Sequence, residues 1–165
     1  MNRIVENILR FLIVVLLQVL VLNNIQFIPL CTPYIYVFFL LCLPVEIPRW
    51  ADILIGFATG LIMDCFCNTV GIHAFACTAV CYLRQLSIRW FVDNVDRLQG
   101  TPSAFSFLNF AAYIKYVVLL VLVHHGSVIL LDAFTFHHLW WTMLQIIVSS
   151  AITIVIIVTY DIIRN

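Results

Sequence analysis

The chain has 165 residues, of which 64% are hydrophobic and 10% charged, against roughly 45–50% and roughly 25% in ordinary soluble domains. Eight Lys and Arg balance eight Asp and Glu, so no basic excess exists to hold a phosphate backbone, and nucleic-acid binding is excluded as a primary function. The class expected is an all-α integral membrane protein, with the lipid bilayer as its solvent.

A helix that crosses a hydrocarbon core about 30 Å thick needs about 20 mostly apolar residues. A bundle of six is expected, at approximately 8–28, 33–48, 51–68, 71–90, 107–126 and 139–161. Their connections are too short for a separate soluble domain, so residues 1–165 read as a single transmembrane domain. The first stretch follows Arg3 and Arg10 as a signal peptide would, but it is long and runs into Asn23, Asn24 and Gln26 with no small-x-small cleavage site, and it reads as an anchor. Pro29 and Pro33 bracket the first connection, Pro44 and Pro48 the second, and Gly100–Thr101–Pro102 lies in the fourth. The fifth stretch has two possible starts. One, near Phe107, places Lys115 within the hydrocarbon. The other, near Ala111, lets Lys115 snorkel and puts His124 and His125 inside the membrane.

Six crossings from a cytoplasmic N-terminus predict which connections carry cations. Arg3, Arg10, Arg49, Arg84, Arg89, Arg97 and Arg164 all fall on the cytoplasmic side, and the connections near 29–33, 67–71 and 127–138 contain no Lys or Arg. Both termini are therefore expected on the cytoplasmic side. Trp50 and Trp90 mark the inner interface, and Trp140 and Trp141 the outer one.

Within the third stretch Gly56, Gly60 and Asp64 recur at i, i+4 and i+8, which sets two glycines and a carboxylate on one helical stripe. A charge at mid-membrane costs about 2.5–3.5 kcal/mol on insertion scales, so Asp64 should face protein or water. Two readings follow: close helix packing with Asp64 hydrogen-bonded to a neighbour, or an ion, substrate or partner site. Arg84 lies about 20 Å inward of Gly71 and is a poor partner for Asp64, whereas His73 and Lys115 come nearer in depth. Asp64, His73 and Lys115 are accordingly the candidate polar site.

The remaining polar residues are read more plainly. Cys65, Cys67, Cys77 and Cys81 around His73 match no tight metal-ligand spacing, and no metal or cofactor is expected; a disulfide near the outer face, involving Cys65 or Cys67, is the lesser alternative. His124–His125 and His137–His138 are expected as interfacial polar groups beside Trp140 and Trp141, and Asp93, Asp96 and Arg97 as a solvated loop. No nucleophile elbow, metalloprotease motif, phosphate loop or paired carboxylates within a span is present, so no enzyme is expected.

Gly60–Leu61–Ile62–Met63–Asp64, followed after a short gap by Gly71–Ile72–His73–Ala74 and an apolar run to Tyr82–Leu83, resembles the rod-shape-determining MreD family. The resemblance implies a non-enzymatic inner-membrane component of the cell-wall elongation machinery. It implies partners as well: the single-span protein MreC, the actin-like filament protein MreB, and wall-synthesising polymerase and transpeptidase enzymes. It also implies a helical arrangement like that of S-components of vitamin transporters, and a substrate-binding transporter subunit of that kind is the alternative function. By position the motif residues are Gly60, Asp64, Gly71 and Ala74, and Gly56 with Gly60 offers a close-packing surface to a partner.

Overall fold

The computed structural model describes residues 3–24, 32–92, 99–103, 109–133 and 139–164. Among these every regular element is helical: α1 (Arg3–Leu20), a 3-10 turn (Leu22–Asn24), α2 (Val37–Leu41), α3 (Arg49–Cys67), α4 (Ile72–Phe91), α5 (Phe110–Ala133) and α6 (Leu139–Arg164). α3, α5 and α6 are each long and apolar enough to cross a membrane. The elements from α3 onward pack against their neighbours in chain order, α3 on α4, α4 on α5 and α5 on α6, while α1 lies against α2.

The helix limits have local causes. α3 starts directly after Pro48, whose carbonyl accepts from the Ala51 and Asp52 amides, and ends at Asn68 in the left-handed region (φ 56°). α4 begins after Gly71, also left-handed (φ 79°). The Asn68–Gly71 turn defines one end of the bundle, here the hairpin end. Arg10, Arg49 and Arg89 lie toward the other, the arginine end. Trp50 and Trp90 are exposed at that end, and Trp140 and Trp141 in the first turn of α6.

In α5 the buried residues recur at a strict spacing of four: Ala112 and Tyr113, Tyr116 and Val117, Leu120 and Val121, His124 and His125, Val128 and Ile129. Most intervening positions are also apolar, Lys115 and Ser127 excepted, as suits a helix with lipid on its outer side. α5 starts at Phe110, so the later of the two expected starts is the nearer one. His124 and His125 are each 0% exposed, which corrects their reading as interfacial groups. Helix α5 continues to Ala133 instead of stopping at 126, and its inward stripe carries both rings into the core. His137 and His138, and the loop residues Asp93, Asp96 and Arg97, lie outside the described residues.

The second expected helix, 33–48, is corrected as well. Only Val37–Leu41 is α-helical, although every residue from Tyr36 to Leu43 is at most 7% exposed. Pro33, Pro44 and Pro48 each lack an N–H, and they leave no room for a helix of crossing length. Tyr36 reaches His73 near the start of α4, and Leu43 reaches Arg84 further along it. Those contacts are eleven residues apart on α4, about 16 Å, and the long Tyr36 and Arg84 side chains reach across the difference. The backbone from 35 to 43 is one short helical stretch, with the Phe38, Phe39, Cys42 and Leu43 amides donating to the Ile35, Tyr36, Phe38 and Leu40 carbonyls.

Candidate functional site

Three polar clusters occupy the interior, and the first is the α3–α4 hairpin. A Cβ on Gly60 would stand 2.4 Å from Ala74 Cα and 2.4 Å from the His73 carbonyl oxygen, and one on Gly56 would stand 2.6 Å from Cys81 Sγ and 2.8 Å from the Cys77 carbonyl oxygen. The glycine stripe is thus filled by α4 of the same chain. One turn beyond Gly60, Asp64 Oδ1 accepts from Thr69 Oγ1 (2.6 Å) and the His73 amide (3.0 Å), and Oδ2 accepts from the Ala74 amide (2.9 Å). Those amides belong to the first turn of α4, where helical N–H groups have no partner of their own and the helix dipole favours an anion. Asp64, 4% exposed, caps α4 from the neighbouring helix, and the close approach over Gly60 brings the amides within its reach.

The candidate residues therefore separate. Gly56, Gly60, Asp64, Gly71, His73 and Ala74 converge on one hairpin. Lys115 does not join them: it is exposed, and the adjacent Tyr116 donates its hydroxyl to the Leu41 carbonyl (2.9 Å), at the level of Arg84.

The second cluster surrounds Tyr36. Its hydroxyl lies 2.8 Å from His73 Nδ1 and 2.6 Å from His124 Nε2. A phenol has one proton, so it donates to one ring and accepts an N–H from the other. Tyr34 packs edge-on to His73 and His124 at 5.4 and 5.7 Å. His125 Nδ1 donates to the Val121 carbonyl (3.0 Å), leaving Nε2 to accept from the Tyr34 amide (3.4 Å) and Thr153 Oγ1 (3.1 Å). An amide can only donate, so His125 is neutral with its proton on Nδ1. His124 Nδ1 has no hydrogen-bond partner among the described residues.

The third cluster is centred on Arg84, 0% exposed. Its Nη1 donates to Asp52 Oδ2 at 2.9 Å, and its Nη2 donates to the carbonyls of Leu43 and Pro44. Sequence reasoning set Arg84 against Asp64 and counted it with the loop arginines. Asp52 lies 12 residues before Asp64 and Arg84 lies 13 after Gly71, so both sit about 18–20 Å from the hairpin turn. That shared depth was the available signal for the pair.

Polar side chains throughout the bundle serve the backbone of residues 32–48. Gln18 accepts from the Ile35 amide (2.8 Å) and donates to the Pro33 carbonyl (3.2 Å); Ser149 accepts from the Thr32 amide (3.0 Å); Arg10 donates to the Cys42 carbonyl (3.2 Å) and Gln85 to that of Ile47 (2.9 Å). Non-helical backbone survives at membrane depth only where protein satisfies it in this way. Gln18, Arg84, His125 and Ser149, all buried, are committed to this internal role. Among the described residues no group of His, Cys, Asp and Glu converges as metal ligands, and none of Cys42, Cys65, Cys67, Cys77 and Cys81 is in a disulfide.

The family model of rod shape-determining protein MreD matches residues 1–162. The chain belongs to the MreD family. Membership carries a role in determining rod shape, in a family of membrane proteins. No curated protein and no solved structure shows significant similarity to the chain.

Proposed function

We propose that this MreD-family chain is a non-enzymatic inner-membrane component of the cell-wall elongation machinery, holding an MreC-type single-span protein together with wall-synthesising polymerase and transpeptidase enzymes, near an MreB-type filament. The observation that carries this reading is the direction in which its polar groups face. Asp64, Arg84, Asp52, Gln18 and Tyr36 are turned inward onto the chain's own backbone and side chains. The outward surface is apolar, with Leu12, Leu16, Phe57, Phe75, Leu122 and Ile147 exposed. Such a surface suits apolar helices of other membrane proteins. The Gly56–Gly60 stripe acts indirectly, by building the hairpin that shapes this surface.

The topology proposed has six crossings and both termini cytoplasmic, with residues 32–48 making the second crossing. Arg10, Arg49 and Arg89 at one end, and an Asn68–Gly71 turn without Lys or Arg at the other, support it. Alkaline phosphatase fused at Thr69 should be active, and the same enzyme fused at Gly100 inactive; the reverse pattern would overturn the orientation.

Affinity purification of the tagged chain from its own membranes in mild detergent tests the function. Recovery of a single-span periplasmic protein with wall-synthesis enzymes is expected. Recovery of paired ATPases with a coupling membrane subunit would overturn it in favour of a transporter S-component.

A further inference from the structure

An apolar groove of about 500 Å³ runs between α1 and α6. Leu9, Ile13 and Leu17 form its α1 wall, Phe38 its floor, and Ile156 and Tyr160 its α6 wall, with Glu6 and Arg10 at one end. From Glu6 to Leu17 is eleven residues, about 16 Å, close to the half-thickness of about 15 Å that one leaflet's acyl chains occupy. The groove is thus as long as one lipid tail, and it is polar only where a headgroup would begin.

The two charges there have a definite order. Arg10 Nη1 is held by the Cys42 carbonyl (3.2 Å) and Asn7 Oδ1 (3.3 Å), which fixes the guanidinium while Nε and Nη2 make no hydrogen bond among the described residues. Glu6 stands one turn further toward the α1 N-terminus, on the same helical face as Arg10 and about 5–6 Å away at Cβ. In a glycerophospholipid with an ammonium headgroup the phosphate is next to the glycerol and the ammonium lies further out. Cation and carboxylate along α1 follow the complementary order, whereas a headgroup carrying only negative charge would meet Glu6 unfavourably.

We propose that the α1–α6 groove is a binding site for a zwitterionic, ammonium-bearing glycerophospholipid, with one acyl chain in the groove, the phosphate on Arg10 and the ammonium on Glu6. The lipid covers the gap between α1 and α6 and joins α1 to the rest of the bundle.

Native mass spectrometry of the full chain, taken from nanodiscs of equal phosphatidylethanolamine and phosphatidylglycerol, tests the site without any protein partner, so its outcome is separate from that of the scaffold reading. One retained phosphatidylethanolamine is expected, favoured over phosphatidylglycerol by about threefold or more; Arg10→Gln should lower retention of both about fivefold, the loss of one charge-assisted contact. Glu6→Gln should abolish the preference while retaining binding, a change of selectivity that misfolding would not produce. Ile13→Trp, which fills the groove, should displace the lipid, and Leu12→Trp on the exposed face outside it should not. Equal retention of the two lipids by the unaltered chain, or retention unaffected by Ile13→Trp, would overturn the proposal. So would a chain that retains no lipid but loses a co-purifying single-span protein on Ile13→Trp, since a helix would then be the occupant.

Discussion

A Cβ at position 60 would press on the backbone of Ala74 and His73, whereas one at position 126 meets nothing within 4 Å. Backbone cannot rotate away, so Gly60→Ala forces α3 and α4 apart and is expected to cost about 1–3 kcal/mol or more. Gly71→Ala has space but needs a left-handed residue, at about 1–2 kcal/mol, and Gly126→Ala gains up to about 1 kcal/mol of helix propensity. Unfolding in mixed micelles by increasing SDS should rank the three in that order, and a harmless Gly60→Ala would refute the hairpin packing. Asp64→Asn should cost about 1–3 kcal/mol by the same measurement, because one carboxylate oxygen becomes an N–H₂ that cannot accept from Thr69, His73 or Ala74. This much was legible in the sequence, since i, i+4 and i+8 spacing placed Gly56, Gly60 and Asp64 on one face. The burial of His124 and His125 was not. In a helix apolar on every side, two adjacent imidazoles near its end look the same whether they face the core or the headgroups.

At the scale of elements, α3 and α4 are joined at both ends, by the Asp64 cap at the hairpin and by Arg84–Asp52 some 18 Å away. Arg84 also holds two carbonyls of the 32–48 segment, so its removal frees more than one partner. Arg84→Met is expected to cost about 3–5 kcal/mol, the usual result of stranding a buried charge. Asp52→Leu combined with Arg84→Met should be no worse than Arg84→Met alone, because the carboxylate is then no longer stranded. Arg84→Lys should rescue only in part, since one ammonium cannot reproduce a fork that serves Asp52, Leu43 and Pro44 together. A double-mutant cycle read by SDS titration checks all three, and simple additivity would refute the coupling. The sequence showed where these charges lie in depth. Their pairing stayed hidden because Asp52 and Arg84 stand 32 residues apart on different helices and share no motif, while the partners of Asp64 are largely backbone amides, which leave no trace in residue identity.

At the scale of the whole molecule, apolar length alone marked α3, α5 and α6 as helices long enough to cross a membrane, and the helix limits of α3, α4, α5 and α6 fall within a few residues of those expected, the far end of α5 excepted. Residues 33–48 resisted the same logic. An apolar run reads as a helix on hydropathy, and only the three prolines at 33, 44 and 48 hint that the backbone finds its hydrogen bonds elsewhere. Gln18→Leu, which removes the partner of the Ile35 amide and the Pro33 carbonyl, should therefore destabilise by about 1–3 kcal/mol despite placing an apolar side chain in an apolar setting. A neutral or stabilising outcome in the same titration would show that this backbone is served in some other way.

The partners of that segment also set an order of events during synthesis. Arg10 and Gln18 precede it, but Gln85, Arg84, Tyr116, His125 and Ser149 leave the ribosome long after it does. Released alone into lipid, its backbone would lack most of its partners. The segment is therefore expected to complete its packing only after α5 has been made. Nascent chains halted before Phe110 should expose residues 36–43 to a water-soluble thiol reagent at Cys42, and chains halted beyond Ala133 should protect it.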